Sequence, residues 1–324
     1  MNLPFRFARL AVTLALGSAF SATALAQDFP NKPITFIVPF AAGSATDQIG
    51  RAIGQGVTEQ TGQAVVIENR PGASAMIGAQ TAARAAPDGY TVLITTNTTH
   101  AANEHLYKSL AYDPVKDFAP LTLLGKGGQI MVVNPKSPAK SVAEFVAQAK
   151  QQPGKLSFGS GSSSSRIAGE LLQQMAGIEL LHVPYKSNPL AVTDLLGGQI
   201  DMMITDAATG LPQVASGKLR ALGVTGKERS PLAADVPTID EAGVPGYEMG
   251  YWFAAYAPSG TPPELVKRLH ELLAKAADSK AAASFYQQTG TVKETSTPDE
   301  LATFQGEESK KWGKIIQAAG IQPE

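Results

Sequence analysis

The chain has 324 residues with no cysteine, 44% apolar and 7% aromatic residues, and 27 Lys+Arg against 28 Asp+Glu, for a net charge of −1. With no basic excess, nucleic acid and anionic membrane are excluded as natural partners. The absence of cysteine excludes disulfides and Cys-ligated metals.

Residues 1–26 read as a secretory signal. Arg6 and Arg9 form a basic start, Leu10 to Phe20 is mostly apolar, and Ala24-Leu25-Ala26 is an A-x-A cleavage site. The apolar run is too short and too rich in Ser, Thr and Gly to span a bilayer. No cysteine is present to carry a lipid. Cleavage after Ala26 removes 26 of 324 residues, leaving 298, and takes away two arginines but no acid, which moves the net charge from −1 to −3. That length suits two domains, and the expected location is the periplasm.

Beyond the signal, short β-branched strands alternate with Ala-rich helices. A strand at Ile34 to Val38 precedes a helix at Asp47 to Glu59; a strand at Ala64 to Glu68 precedes a helix at Ala75 to Ala85. The turn Pro87-Asp88-Gly89 leads into a strand from Tyr90 to Thr95. Leu121 to Val133 is extended and is followed by a helix at Ser141 to Gln151, where Ser141 and Glu144 have capping-box spacing. Then come a strand at Leu156 to Gly159, a helix at Ser162 to Met175, a short strand end at His182 to Tyr185 and a helix at Asn188 to Leu196. Strands at Asp201 to Thr205, Leu219 to Val224 and Tyr251 to Ala257 precede helices at Pro263 to Ala277, Lys280 to Gln288 and Pro298 to Ala319. The rhythm predicts a mostly parallel sheet covered by helices. Leu121 to Val133 and Tyr251 to Pro258 are the stretches expected to cross between domains. The two ends of the chain then share one domain, and the interdomain cleft is the expected ligand site.

The turn after the first strand, Pro39-Phe40-Ala41-Ala42-Gly43-Ser44-Ala45-Thr46-Asp47, has the chemistry of an anion site. The first amides of a helix are unpaired and its dipole is positive there. Gly43 allows close backbone approach, and Ser44 and Thr46 add hydroxyls. In an exported protein this points to a small carboxylate. Ser162 to Ser165 offer a second such start, read either as an anion cradle or as ordinary serine capping. Arg166, in a first helical turn, opposes the dipole. It either pairs with a second ligand carboxylate, pairs with Glu170 one turn on, or is simply solvated. Asp206, at the carboxyl end of a strand, either accepts from an amine or hydroxyl on the ligand or caps the next segment. Tyr185 suits a cleft wall, and Trp252 either stacks on ligand or supports the hinge. Arg70 is expected to brace the cleft through carbonyls or Asp88. His100 and His105 fall on different helical faces, so no metal site is expected. No G-x-S-x-G, Walker A, H-E-x-x-H or G-x-G-x-x-G occurs, and no enzyme chemistry or cofactor is expected.

Further blocks carry a resemblance. They are Phe29-Pro30-Asn31-Lys32-Pro33-Ile34 with Val38-Pro39-Phe40, Glu68-Asn69-Arg70-Pro71-Gly72-Ala73, Ala86-Pro87-Asp88-Gly89-Tyr90-Thr91 and Leu106-Tyr107-Lys108. Tyr112 to Phe118, Val183-Pro184-Tyr185-Lys186, Asp194-Leu195-Leu196-Gly197-Gly198 and Ala257-Pro258-Ser259-Gly260-Thr261-Pro262 follow. In this order and spacing they resemble the Bug family of periplasmic solute receptors, the binding components of tripartite tricarboxylate transporters. The resemblance implies a type II periplasmic-binding-protein fold with two α/β lobes. Lobe 1 is expected at 27–126 and 252–324, and lobe 2 at 127–251. It implies a bound carboxylate held in lobe 1 by Ala42, Gly43, Ser44, Ala45, Thr46, Asp47, Ser74, Thr96, Asn97 and Thr98. Lobe 2 is expected to contribute Ser160, Ser162, Ser163, Ser164, Ser165, Arg166, Tyr185, Lys186, Ser187 and Asp206. The implied partners are the permease subunits of such a transporter or, alternatively, a sensor kinase ectodomain; the receptor itself is expected to be a monomer. The chain departs from the family where Gly43-Ser44 replaces two glycines, where Ser74 and Ala75 stand at a common glycine position, and where Arg166 replaces a frequent His.

Overall fold

The computed structural model describes residues 29–323; the expected export signal lies outside them. Among the described residues no helix is long and apolar enough to cross a membrane.

The first part of the chain folds as the alternation predicts. Strands β1 (Ile34–Val38), β2 (Val65–Asn69) and β3 (Thr91–Thr96) pair in parallel, with β1 in the middle. Helices α1 (Ala45–Thr61) and α2 (Met76–Ala83) connect them. Phe36, Val38, Val92, Leu93 and Ile94 are fully buried, as expected where helices cover a parallel sheet. After β3 comes a π-helical turn, Thr98–Ala102, running into the short helix α3 (Asn103–Leu106). Neither was legible beforehand, because Thr-rich sequence carries no helical period.

Strand β4 (Phe118–Val133) is 16 residues long and serves both halves of the molecule. It begins three residues before its expected start and passes through Pro120. Proline lacks the ladder N–H, and the register to β9 (Gly250–Pro258) shifts between Pro120 and Thr122. From Phe118 to Gly128 the strand pairs with β9, which returns the chain to β3. From Gln129 onward its antiparallel partner is instead β7 (Met202–Asp206), and β8 (Arg220–Val224) also pairs with this stretch from Ile130. The partner change falls after Gly128. A Cβ on Gly127 would lie 2.5 Å from the Tyr251 hydroxyl, so a larger residue there has to displace the Tyr251 ring.

The second half repeats the α/β pattern: α4 (Val142–Gln151), β5 (Ser157–Ser160), α5 (Ser163–Ala176), β6 (Leu181–Pro184) and α6 (Asn188–Leu196). Strand β5 lies between β6 and β7, parallel to both. Asp206 opens a further helix, α7 (Ala207–Ala215), whose Pro212 hid it from sequence reading. The sheet order is β2-β1-β3-β9-β4-β7-β5-β6, with β8 beside β4. Helices α8 (Pro263–Ala276), α9 (Lys280–Thr289) and α10 (Pro298–Ala318) complete the first half.

Capping residues set where helices start. Ser44, Ser141, Ser162, Asp206, Ser279 and Thr297 each accept from the backbone amide three residues on. At α4 the reciprocal half of the expected capping box is displaced by one residue. Glu144 accepts from the amide of Lys140, not that of Ser141, at 2.7 Å.

Candidate functional site

The loop from β1 into α1 is held shut by Asp47. Its carboxylate accepts from Gly43 N at 2.9 Å, Asn69 Nδ2 at 3.0 Å and Arg51 Nε at 3.0 Å. Asn69 also ties the loop to β2 by donating to Phe40 O. Burial pushes the Asp47 pKa up, but the hydrogen bonds from Arg51, Gly43 and Asn69, with the Arg51 charge, outweigh it and hold the value low. Gly43, with φ at +81°, turns the chain and spends its amide on Asp47. Ser44 Oγ accepts from Asp47 N, and Ser44 O from Gln48 N. No acceptor among the described residues pairs with the amides of Ala45 and Thr46. These are the unsatisfied donors of a helix start.

Helix α5 begins the same way in the other half. Ser162 Oγ accepts from Ser165 N and Ser162 O from Arg166 N, which leaves the amides of Ser163 and Ser164 without an acceptor among the described residues. Gly161, just before, lies against the start of α6. A Cβ there would fall 1.9 Å from the Ser187 carbonyl carbon, and its amide donates to Asn188 Oδ1 at 3.0 Å.

The two helix starts border one cavity of about 30 Å³, lined by Phe40, Ser44, Ala45, Thr46, Thr96, Gln129, Ser162, Ser164, Asn188, Asp206, Tyr251 and Phe253. At ~10–15 Å³ per water this is space for about two waters, roughly the bulk of one small polar group. Asp206 caps α7 through Thr209 N at 2.9 Å and accepts from Asn188 Nδ2 at 2.8 Å. Beside it, burial first and then the Asp206 charge raise the Tyr251 pKa.

Of the expected residues, Ser44, Ala45, Thr46, Thr96, Ser162, Ser164 and Asp206 meet at this cavity. The others do not line it. Ala42 and Gly43 are exposed beside it, and Asp47 faces Arg51. Ser74 bonds Tyr107 at 2.6 Å, within three consecutive left-handed residues, Ala73, Ser74 and Ala75. Asn97 accepts from Trp252 N at 3.4 Å, and Thr98 is buried in the π-helical turn. Ser160 pairs with His182 at 2.7 Å, and Ser165 Oγ bonds Ile204 O. Ser163 reaches across to Asn103 of α3, donating from Oγ to Oδ1 at 2.7 Å. Arg166 lies in the field of Glu170; burial raises the Glu170 pKa, opposed by the Arg166 charge and a Gln173 hydrogen bond. Tyr185 donates to Asp194 at 2.7 Å, and its pKa is pushed up to about 12 by burial and by Asp194. Lys186 is exposed and Ser187 fully buried. Arg70 pairs with Glu68, not with Asp88, whose partner is Lys32. Trp252 donates to Glu308 and its ring meets Phe304, bracing the crossing between the halves.

Phe40, Gln129, Asn188, Tyr251 and Phe253 also line the cavity without having been expected there. Gln129 had a signal, a lone amide within the apolar run Leu121 to Val133. Phe40 lies in the turn already read as an anion site; Tyr251 and Phe253 had no signal, because their strand β9 reads simply as core.

Two α/β halves joined by one long strand, with paired helix starts over a cavity at the junction, define a two-lobed periplasmic solute-binding protein. Residues 49–321 match the tripartite tricarboxylate transporter family receptor, and the chain belongs to that family. Three solved structures are similar throughout. The R. palustris protein Rpa4515, solved with adipate, is 34% identical, with 92% of this chain and 100% of that one covered at a TM-score of 0.89. The periplasmic binding protein BugD is 31% identical, with 91% and 100% covered at 0.88. MatC (Rpa3494) from Rhodopseudomonas palustris, solved with bound malate, is 31% identical, with 89% and 100% covered at 0.84.

Proposed function

We propose that this protein captures a small carboxylate by closing its two lobes on it and delivers it to the membrane permease of a tripartite tricarboxylate-type transporter. One observation carries the reading: the helix starts of α1 and α5, each with two amides lacking an acceptor, border the same cavity from opposite halves. An anion there receives donors and positive dipole ends from both sides. Hydrogen bonds to a charged group contribute roughly 1.5–3 kcal/mol each, so a handful brings micromolar binding within reach after ordering costs. The carboxylates bound by the similar proteins, adipate and malate, support the ligand class.

Lobe 1 then comprises 27–126 and 252–324, and lobe 2 comprises 127–251. The partner change of β4 after Gly128 supports that division. A ligand larger than the cavity requires the lobes to part and close again, and closure gives a permease a shape that reports occupancy. The protein acts after removal of its export signal and without turnover.

The test is a thermal-shift panel of aliphatic and aromatic carboxylates on refolded, ligand-stripped protein. Ligand at 100 times its dissociation constant adds about 2.7 kcal/mol. A rise with an acid but not with its amide is the expected result. No rise across the panel refutes the carboxylate reading.

A further inference from the structure

The cavity has an acceptor wall as well as donors. Gln129 and Asp206 are directly opposed on β4 and β7, so their side chains stand together on one face. Asp206 is 9% and Gln129 2% exposed, and both line the cavity. Both Asp206 oxygens act as acceptors, from Thr209 N and Asn188 Nδ2, as an ionised carboxylate does. Those two donors are neutral and bring no charge to offset it. Gln129 Oε1 is buried with no hydrogen-bond partner, an arrangement that costs stability unless something donates to it. Arg166, in the first turn of α5, contributes its charge to the field at Glu170.

A plain carboxylate bound by the amides of α1 and α5 therefore meets a second carboxylate in a space of about 30 Å³. Like charges that close disfavour each other strongly. A donor on the ligand reverses the sign, and a cationic donor does so most. Because the two helix starts and Asp206 line the same cavity, that donor sits close to the carboxylate, on the adjacent carbon.

We infer that the ligand is a 2-amino acid, its carboxylate on the two helix starts and its ammonium on Asp206 and Gln129. This rests on the carboxylate reading above and narrows it. Asp206 is the specificity-determining residue: it penalises plain acids and holds the ammonium.

Calorimetry on the mature protein with matched pairs tests this. The pairs are propionate and alanine, succinate and aspartate, glutarate and glutamate, adipate and 2-aminoadipate. The expected result is an amino member binding at least tenfold more tightly than its plain partner. Plain acids binding as well as their amino partners overturns the inference and leaves the carboxylate reading standing. Malate binding more tightly than aspartate overturns the ammonium assignment in favour of a hydroxyl. No binding by any member overturns the inference, and only if the wider carboxylate panel also gives no rise is the carboxylate reading refuted with it. Asp206→Asn should weaken the amino member at least tenfold and tighten the plain acid, because the like-charge repulsion is removed; equal weakening of both overturns the inference. Asp206 also caps α7, so the variant's melting temperature is measured alongside, and the wild-type series decides the matter if the variant does not fold.

Discussion

Ser163→Ala isolates the contribution of one contact between the lobes. Ser163 Oγ donates to Asn103 Oδ1 at 2.7 Å, and Asn103 Nδ2 donates onward to Ser74 O at 2.9 Å. Asn103 is fully buried and Ser163 is 2% exposed. In the closed protein the alanine variant leaves Asn103 Oδ1 buried without this donor, a loss of about 1–3 kcal/mol. In an open protein water reaches the amide, so the cost falls on closure alone. Affinity should drop by roughly 5- to 150-fold at ~1.4 kcal/mol per tenfold, and because docking precedes closure the drop should lie in the dissociation rate. Stopped-flow and calorimetric titration with the tightest acid from the panel measure both quantities. The ligand-free melting temperature should fall less than the ligand-bound one. Affinity and dissociation rate within twofold of wild type, or a loss confined to the association rate, would refute the reasoning. Asn103→Ala should give a similar loss, since it removes the same contact from the other side.

Gly161→Ala places a methyl group against the backbone of Ser187 and Asn188, which side-chain rotation cannot relieve; we expect a loss of about 3 kcal/mol or more in chemical denaturation. The Asp47 pKa is lowered from 3.8 in the folded protein, so its stabilisation is complete above that value and is lost as pH falls through the folded pKa. Asp47→Asn should melt lower at neutral pH, and the gap to wild type should shrink in melts taken progressively below pH 3.8. Ala73, at φ +45° and exposed, is strained as an L-residue; Ala73→Gly should raise stability by about 0.5–1 kcal/mol after the flexibility it adds to the unfolded chain. Glu308→Ala removes the acceptor of both indole N–H groups, Trp252 and Trp312, each at 3.1 Å. A loss of about 2–4 kcal/mol should accompany a red shift in the emission of the chain's two tryptophans.

The candidate site was legible in part, and the division follows a physical line. Its helix starts were readable because an N-terminal cradle is a local object. A small-residue turn after a strand, with Ser44 or Ser162 at the cap, makes unpaired amides wherever it occurs. The direction of each hydroxyl was not readable. Ser163 and Ser164 are neighbours of the same type, yet one reaches across to Asn103 and the other faces the cavity. Helical rotation and the placement of the opposite lobe decide that. Asp206 shows both sides: its place at a strand end is local, and its opposition to Gln129 comes from a pairing 77 positions apart in the chain.

The sequence by itself determined most of the alternation of strands and helices and the serine caps, since these follow from side-chain period and capping chemistry within a dozen residues, while the two-lobed fold was implied by the family resemblance. Tertiary structure alone decided that β4 changes partners after Gly128, that the starts of α1 and α5 border one cavity, and that Gln129 and Asp206 stand opposite each other in its lining. Those facts depend on long-range strand register and on how one lobe meets the other, and neither leaves a mark on local composition.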